Sequence, residues 1–370
     1  VRDPALDAGA ALVVAEGAAP GAAVAAAFLD GAGWQRGTGL AGSALRPEDP
    51  PIFDLASVTK PFVAVLAARL ARSGRLSLAD PLERHLPELA GSASAAVPLL
   101  LFLAHRAGLD AHRPLFAPLV ARRPFDRARA LRTAADARRA DARGAIPAEG
   151  FAPLYSDLGY ALLGAALERA GGAALDELVE REVCRPLALE VRSARLWLAG
   201  SHAFSARVLP TETVAFRGGE LAGVVHDENA WALEGHRIAG QAGLFGTAEA
   251  VAAFGCAVLD ARSGRKPHFL GAEEIAPLVA ERPGGSLRAG FDGKSGDQPA
   301  AGPLTSASTF GHLGFTGTSL WCDPVAERVT VLLSNRVCPT RENGRIRAVR
   351  PRVHALLSAF GGGLVLSDQA

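Results

Sequence analysis

Residues Phe53-Asp54-Leu55-Ala56-Ser57-Val58-Thr59-Lys60 run directly into Pro61-Phe62-Val63-Ala64-Val65-Leu66-Ala67-Ala68-Arg69-Leu70-Ala71, and the reading of this stretch decides the fold. The second half predicts a mostly apolar, buried helix with Pro61 in its first turn and Gly74 as its stop. Ser57 falls at the N-terminal edge of that helix. Lys60 follows three residues later on the same face, so its amine can reach the serine oxygen. The helix N-terminus and apolar surroundings both disfavour an ammonium, which predicts a lysine acting as a base near neutral pH beside a serine nucleophile. The plainer alternative is an N-cap serine and a solvent-facing lysine.

Composition bears on this choice. Lysine occurs only at Lys60, Lys266 and Lys294, tyrosine only at Tyr155 and Tyr160, and methionine nowhere. Arginine stands wherever charge alone suffices, so a retained lysine, which can lose its proton, points to chemistry. The chain has 370 residues, 49% of them hydrophobic and 21% charged. That predicts a folded protein of two lobes, or one domain with a large insertion. A net charge of +1 supplies no field to hold a polyanion, so nucleic acid is not expected as a partner. Cys184, Cys256, Cys322 and Cys338 show no zinc-ligand spacing and read as small buried hydrophobes. No apolar run reaches the roughly 18 residues of a membrane span. The absence of an initiator methionine suggests a trimmed chain whose leader has been removed.

Along the chain, Val24 to Leu29, Asp30-Gly31 and the stretch near Trp34 predict a hairpin. Residues 76–205 read as mainly helical, and strand-like runs dominate from about 206, the clearest being Val329 to Leu333 after Asp323-Pro324. Val349 to Phe360 reads as a closing helix ended by Gly361-Gly362-Gly363. The expected division is a sheet lobe from 1–75 and 206–370, a helical lobe from 76–205, and an active site in the cleft between them.

Two further elements carry chemistry. Tyr155-Ser156-Asp157 precedes an apolar helix, Leu158 to Ala170, and a tyrosine there can pass protons between nucleophile and leaving group. Taken singly, a half-buried aromatic with Asp157 as a helix cap is the commoner case. His312-Leu313-Gly314-Phe315-Thr316-Gly317-Thr318-Ser319 reads as a glycine-interrupted strand, where glycine marks close approach of a ligand or another backbone and a strand N–H can serve an oxyanion.

In this order, Ser57 with Lys60, then Tyr155, then His312 with Gly314 resemble the serine β-lactamase and penicillin-binding protein superfamily, in particular its class C β-lactamase, esterase and D-alanyl-D-alanine carboxypeptidase branch. Gly74 to Pro81, Leu103 to Leu109, Gly240 to Thr247 and Leu332 to Arg336 also look like stretches of these proteins. The resemblance implies an α+β fold, an antiparallel sheet flanked by helices with an inserted helical lobe. It implies a serine hydrolase working through a Ser57 acyl-enzyme on an ester, β-lactam or D-amino-acid peptide, without a cofactor. Lys60 would be the basic neighbour, Tyr155 the proton carrier, and the Ser57 and Phe315 N–H groups the oxyanion hole. His312 stands where the third-motif lysine would be, and Asp157, Leu313 and Gly314 would line the substrate site. Two departures matter. His-Leu-Gly replaces Lys-Thr-Gly, removing a fixed cation, and Asp157 replaces asparagine, which together favour ester cleavage over efficient β-lactam hydrolysis. The alternative is a catalytically silent binding protein on the same fold. A small-molecule or peptidoglycan-derived substrate and a periplasmic or secreted setting follow from the resemblance; oligomeric state does not.

Other signals are weaker. Gly37-Thr38-Gly39-Leu40-Ala41-Gly42 matches G-x-G-x-x-G but is followed by prolines instead of a helix, and reads as part of a hairpin. Ala121 to Arg143 is rich in arginine with interspersed acids and reads as a solvated helical face. His226-Asp227-Glu228-Asn229, with Glu234 and His236, lacks metal-site spacing and reads as a loop brace, with a metallohydrolase as a distant alternative. His105 reads as a satisfied histidine at a helix end.

Overall fold

The run around Val24 forms β1 (Ala22–Asp30), which turns at Gly31 into β2 (Gly33–Ala41), with the Ala32 N–H donating to the Asp30 carboxylate. This computed structural model describes residues 3–42, 45–46, 48–200 and 203–361; Gly362 and Gly363 of the expected helix stop lie outside the described residues. The remaining strands are β3 (Phe53–Asp54), β4 (Val191–Ser193), β5 (Pro210–Val214), β6 (Gly219–Ala222), β7 (Leu244–Gly246), β8 (Asp292–Gly293), β9 (Phe310–Leu313), β10 (Ser319–Asp323) and β11 (Arg328–Ser334). A six-stranded sheet has the order β2-β1-β11-β10-β9-β8, and every pairing within it is antiparallel.

The pleat of β1 sorts its residues between two cores. Ala23, Ala25 and Ala27 face the main core, where the helix Ala248–Arg262 packs; Ala22, Val24 and Ala26 face a second core. That second core lies under α1 (Pro4–Ala15) and the closing helix Ile346–Ser358. The glycine-rich stretch is strand β2, as its hairpin reading requires. A Cβ on Gly39 would stand 2.2 Å from the Leu6 carbonyl carbon, so glycine lets α1 lie directly on the strand.

The helix read from Pro61 to Ala71 is α2 (Thr59–Arg72), preceded by a 3-10 turn at Ala56–Val58. It is buried along nearly its whole length, and Phe62 stacks on Phe254 with ring centroids 3.8 Å apart. A small sheet, β3-β7-β4, pairs residues 53–54 with 244–246, whose other edge takes 191–193, and so anchors the segment leading to Ser57. Arginines of the 121–143 stretch are partly spent on ties between elements: Arg127 pairs with both Glu168 and Glu234. All four cysteines are free thiols, three of them buried.

Candidate active site

Ser57 sits in the 3-10 turn, after an Ala56 held at φ 47°, a left-handed conformation that costs a residue with a Cβ. Asp54 holds it there, since one carboxylate oxygen accepts from the Ala56 N–H at 2.8 Å and the other from the His226 N–H at 2.7 Å. Lys60 enters from the first turn of α2 and is completely buried, which excludes the solvent-facing alternative. Its Nζ donates to Ser57 Oγ at 2.8 Å, to Asp157 Oδ1 at 2.8 Å and to the Gln241 carbonyl at 3.2 Å.

The Lys60 shift runs opposite to the direction expected of a near-neutral base. Burial is the largest single influence and presses its pKa down, but Asp157 and Tyr155 together offset it and leave it above the ordinary lysine value. Lys60 therefore rests as an ammonium. The helix cap at this point is also not Asp157: Ser156 Oγ accepts from the Gly159 N–H and caps the helix Asp157–Gly171, freeing Asp157 for the lysine.

Tyr155 lies over the same centre, its ring centroid 4.8 Å from Lys60 Nζ. Burial raises its pKa, so it is a neutral phenol at rest. His105 is indeed a satisfied histidine, with Nδ1 accepting from the Ser156 N–H at 3.0 Å. Sequence reasoning missed that its ring stacks on Tyr155, with centroids 4.5 Å apart, and so fixes the phenol.

The run from His312 to Ser319 is not one strand. It is the end of β9, a turn closed by Gly314 N–H to Thr318 O at 2.8 Å, and the start of β10. Glycine is required at 314 by backbone approach: a Cβ there would lie 1.9 Å from Thr318 Oγ1 and 2.7 Å from the Leu55 carbonyl oxygen. Thr316 and Thr318 donate to the carbonyls of Asp54 and Leu55 at 2.8 and 2.9 Å, tying this turn to the segment before Ser57. Phe315, half exposed, has an N–H without an acceptor among the described residues, as an oxyanion donor needs. The imidazole of His312 is buried, its ring 5.9 Å from that of Tyr155, and Nδ1 donates to the Leu313 carbonyl at 2.7 Å. Burial and then Lys60 drive its pKa down to about 3, so it is a neutral ring and not a replacement cation.

Ser57, Tyr155, Asp157, His312, Gly314 and Phe315 line a cleft of about 650 Å³ together with His112, Asp227, Leu313 and a basic end formed by Arg336, Arg347 and Arg350. Arg350 was not anticipated, because one arginine on a closing helix gives no signal in sequence. Only 7% exposed, it has just a 3.5 Å contact to the Thr318 carbonyl, and its Nε has no partner among the described residues. Burial and the neighbouring Arg336 and Arg347 lower its pKa to about 10, which still leaves it charged at neutral pH. The His226 region supplies braces: Asp227 caps the helix Glu228–Glu234, and Asn229 bonds the backbone of Arg113 and Phe116. Among the described residues no group of His, Cys, Asp and Glu is arranged to hold a metal.

Comparison with known proteins identifies the family of this fold. An N-acetylmuramyl-L-alanine amidase of Bacillus subtilis is 26% identical over 308 residues, covering 77% of this chain and 68% of that protein. A putative D-alanyl-D-alanine carboxypeptidase of Escherichia coli is 31% identical over 195 residues, which span 50% of this chain and 45% of the relative. Among solved structures, the hydrolase EstCE1, with promiscuous acyltransferase activity, superposes with a TM-score of 0.67 at 21% identity, covering 94% of this chain and 97% of that one. A class C beta lactamase from Rhodobacter sphaeroides gives 0.65 at 18% identity, over 96% and 100% of the two chains. At these identities the superpositions speak for the α+β fold. The family model for beta-lactamase matches residues 9–353, and the chain belongs to that family.

Proposed function

We propose that this hydrolase of the beta-lactamase fold acts through an acyl-enzyme on Ser57. The observation that carries the reading is the 2.8 Å bond between Lys60 Nζ and Ser57 Oγ, with Ser57 and Tyr155 lining the cleft and the Tyr155 ring over the lysine. Ser57 Oγ attacks the substrate carbonyl, and its proton passes to the Lys60/Tyr155 pair once that pair has lost one of its own. The Ser57 and Phe315 N–H groups receive the oxyanion, the pair returns the proton to the leaving group, and water cleaves the acyl-enzyme by the reverse relay.

The basic end of the cleft favours a substrate bearing a carboxylate, a D-amino-acid peptide or a β-lactam, over a neutral ester. Among the described residues no carboxylate is bonded to Arg336, Arg347 or Arg350, and a buried guanidinium without a counter-charge is costly unless a ligand supplies one. This reverses the preference for esters drawn from the His-Leu-Gly motif. The second reading, a silent binding protein, is favoured by one observation: Asp157 keeps Lys60 in the form that cannot accept a proton. Reaction with a fluorophosphonate followed by intact-mass analysis tests the first reading, with an adduct expected on Ser57. Steady hydrolysis of a p-nitrophenyl ester that vanishes in Ser57→Ala would remove the second.

A further inference from the structure

We propose that His226 is a positioning residue for the oxyanion hole, holding the donors on both sides of the site at once. The inference rests on the Ser57 acyl-enzyme reading, and it gives a role to the polar cluster that the proposed chemistry leaves unused.

Each part of His226 reaches a different wall of the hole. Its backbone N–H donates to Asp54 Oδ2 at 2.7 Å, and the other oxygen of Asp54 holds the Ala56 N–H, fixing the left-handed residue that aims Ser57. Its ring lies face to face with the ring of Phe315, with centroids 5.6 Å apart and planes inclined by 19°. Arg336 also packs on Phe315: its guanidinium lies 4.5 Å from the ring centroid and donates through Nε to the Phe315 carbonyl at 2.7 Å. Phe315 is thus held by an imidazole and a guanidinium, although half its surface is open to solvent.

The imidazole is itself anchored. Nε2 bonds Glu212 Oε2 at 2.8 Å, and Glu212 on β5 also takes Arg341 Nε at 2.7 Å, while Arg341 reaches Glu228 on the helix that follows His226. Burial alone would raise the Glu212 pKa, yet the bonds from His226 and Arg341 bring it down to about 2, so the anchor stays ionised. Arg217 closes the frame from the backbone side, donating to the carbonyls of Val225 and His226 at 2.7 and 3.0 Å. Because an oxyanion donor is worth most when fixed before charge develops, loosening this frame should raise the barrier and leave ground-state binding alone.

The test compares wild type with His226→Ala, His226→Phe and His226→Gln, each first checked for a cooperative thermal transition. Phenylalanine keeps the stacking and loses the Glu212 bond; glutamine keeps a donor for Glu212 and loses the stacking, so folding of either one suffices. The readouts are kcat and KM on a p-nitrophenyl ester and the inhibition constant of phenylboronic acid, whose tetrahedral serine adduct places an oxygen in the hole. His226→Ala is expected to lower kcat by about 10- to 100-fold, less than outright loss of an oxyanion donor, with KM within about twofold. The boronate should weaken by a similar factor, and the Phe and Gln variants should fall between. A variant that loses kcat while binding the boronate like wild type, or that changes KM alone, overturns the proposal. A wild-type protein that neither hydrolyses the ester nor binds the boronate sinks the Ser57 reading and this proposal with it. Wild type active in both assays and matched by His226→Ala overturns this proposal alone.

Discussion

Asp157 Oδ1 lies 2.8 Å from Lys60 Nζ, and this pair sets the resting charge of the nucleophile's neighbour. Lys60 has a raised pKa because Asp157 and Tyr155 together offset burial, so the base form that accepts the Ser57 proton is populated only on the alkaline side. The expected pH profile of kcat/KM therefore rises above neutrality. Asp157→Asn removes the charge and keeps the shape, so the Lys60 pKa falls and the rising limb moves to lower pH. A pH–rate profile of the two proteins checks this, and an unmoved or alkaline-shifted limb in Asp157→Asn would contradict it.

His312 and His354 are both buried with pKa values lowered to about 3, in each case first by burial and then by a nearby cation, Lys60 for His312 and Arg350 for His354. Their folded values lie below the ordinary histidine value of 6.5, so the unfolded chain binds the protons first. Each group's contribution to stability is complete above that value and is lost as pH falls from it towards about 3. Urea unfolding across this range should show steep acid destabilisation, shallower in His312→Gln than in wild type. The kcat/KM profile should carry no inflection from His312 near neutral pH.

Arg350→Met removes the buried guanidinium and keeps most of its volume. On a carboxylate-bearing acyl donor the expected loss in kcat/KM is about 10- to 100-fold, the worth of a charge-assisted hydrogen bond of roughly 1.5–3 kcal/mol. On a neutral short-chain ester the change should be within about threefold. Equal losses on both substrates would show that Arg350 does not read the carboxylate.

Gly314→Ala drives a methyl group against the Leu55 carbonyl and the Thr318 hydroxyl. Overpacking of this kind costs about 1–3 kcal/mol. Here it also parts the turn carrying Phe315 from the segment carrying Ser57. Thermal unfolding and ester hydrolysis should both suffer, with activity falling further than the stability loss alone explains.

Much of the fold was legible because it rests on local pattern. The alternation around Val24 and the Asp30-Gly31 turn specify the hairpin, and the apolar run after Pro61 specifies α2, its start displaced by only two residues. The Ser57–Lys60 contact was legible because helix geometry alone sets it. The charge of Lys60 was not, since it depends on Asp157, 97 positions away, and no local rule reports that the two meet. The turn inside His312 to Ser319 was hidden for a related reason. Gly314 answers to Leu55 across the site, and nothing in the motif distinguishes that from a glycine making room for a ligand.

The sheet's strand order has a consequence for how the protein is made. β1 lies between β2, its immediate neighbour in sequence, and β11, and Thr316 meets Asp54 across 262 positions of chain. At ribosomal rates that interval lasts on the order of tens of seconds. Throughout it, Ser57 has emerged while Phe315 has not, and the β1 edge that β11 will cover stands open to other chains. The nucleophile is thus made early and armed late: the turn carrying Phe315 and the strand that covers the β1 edge are both supplied by the far end of the chain.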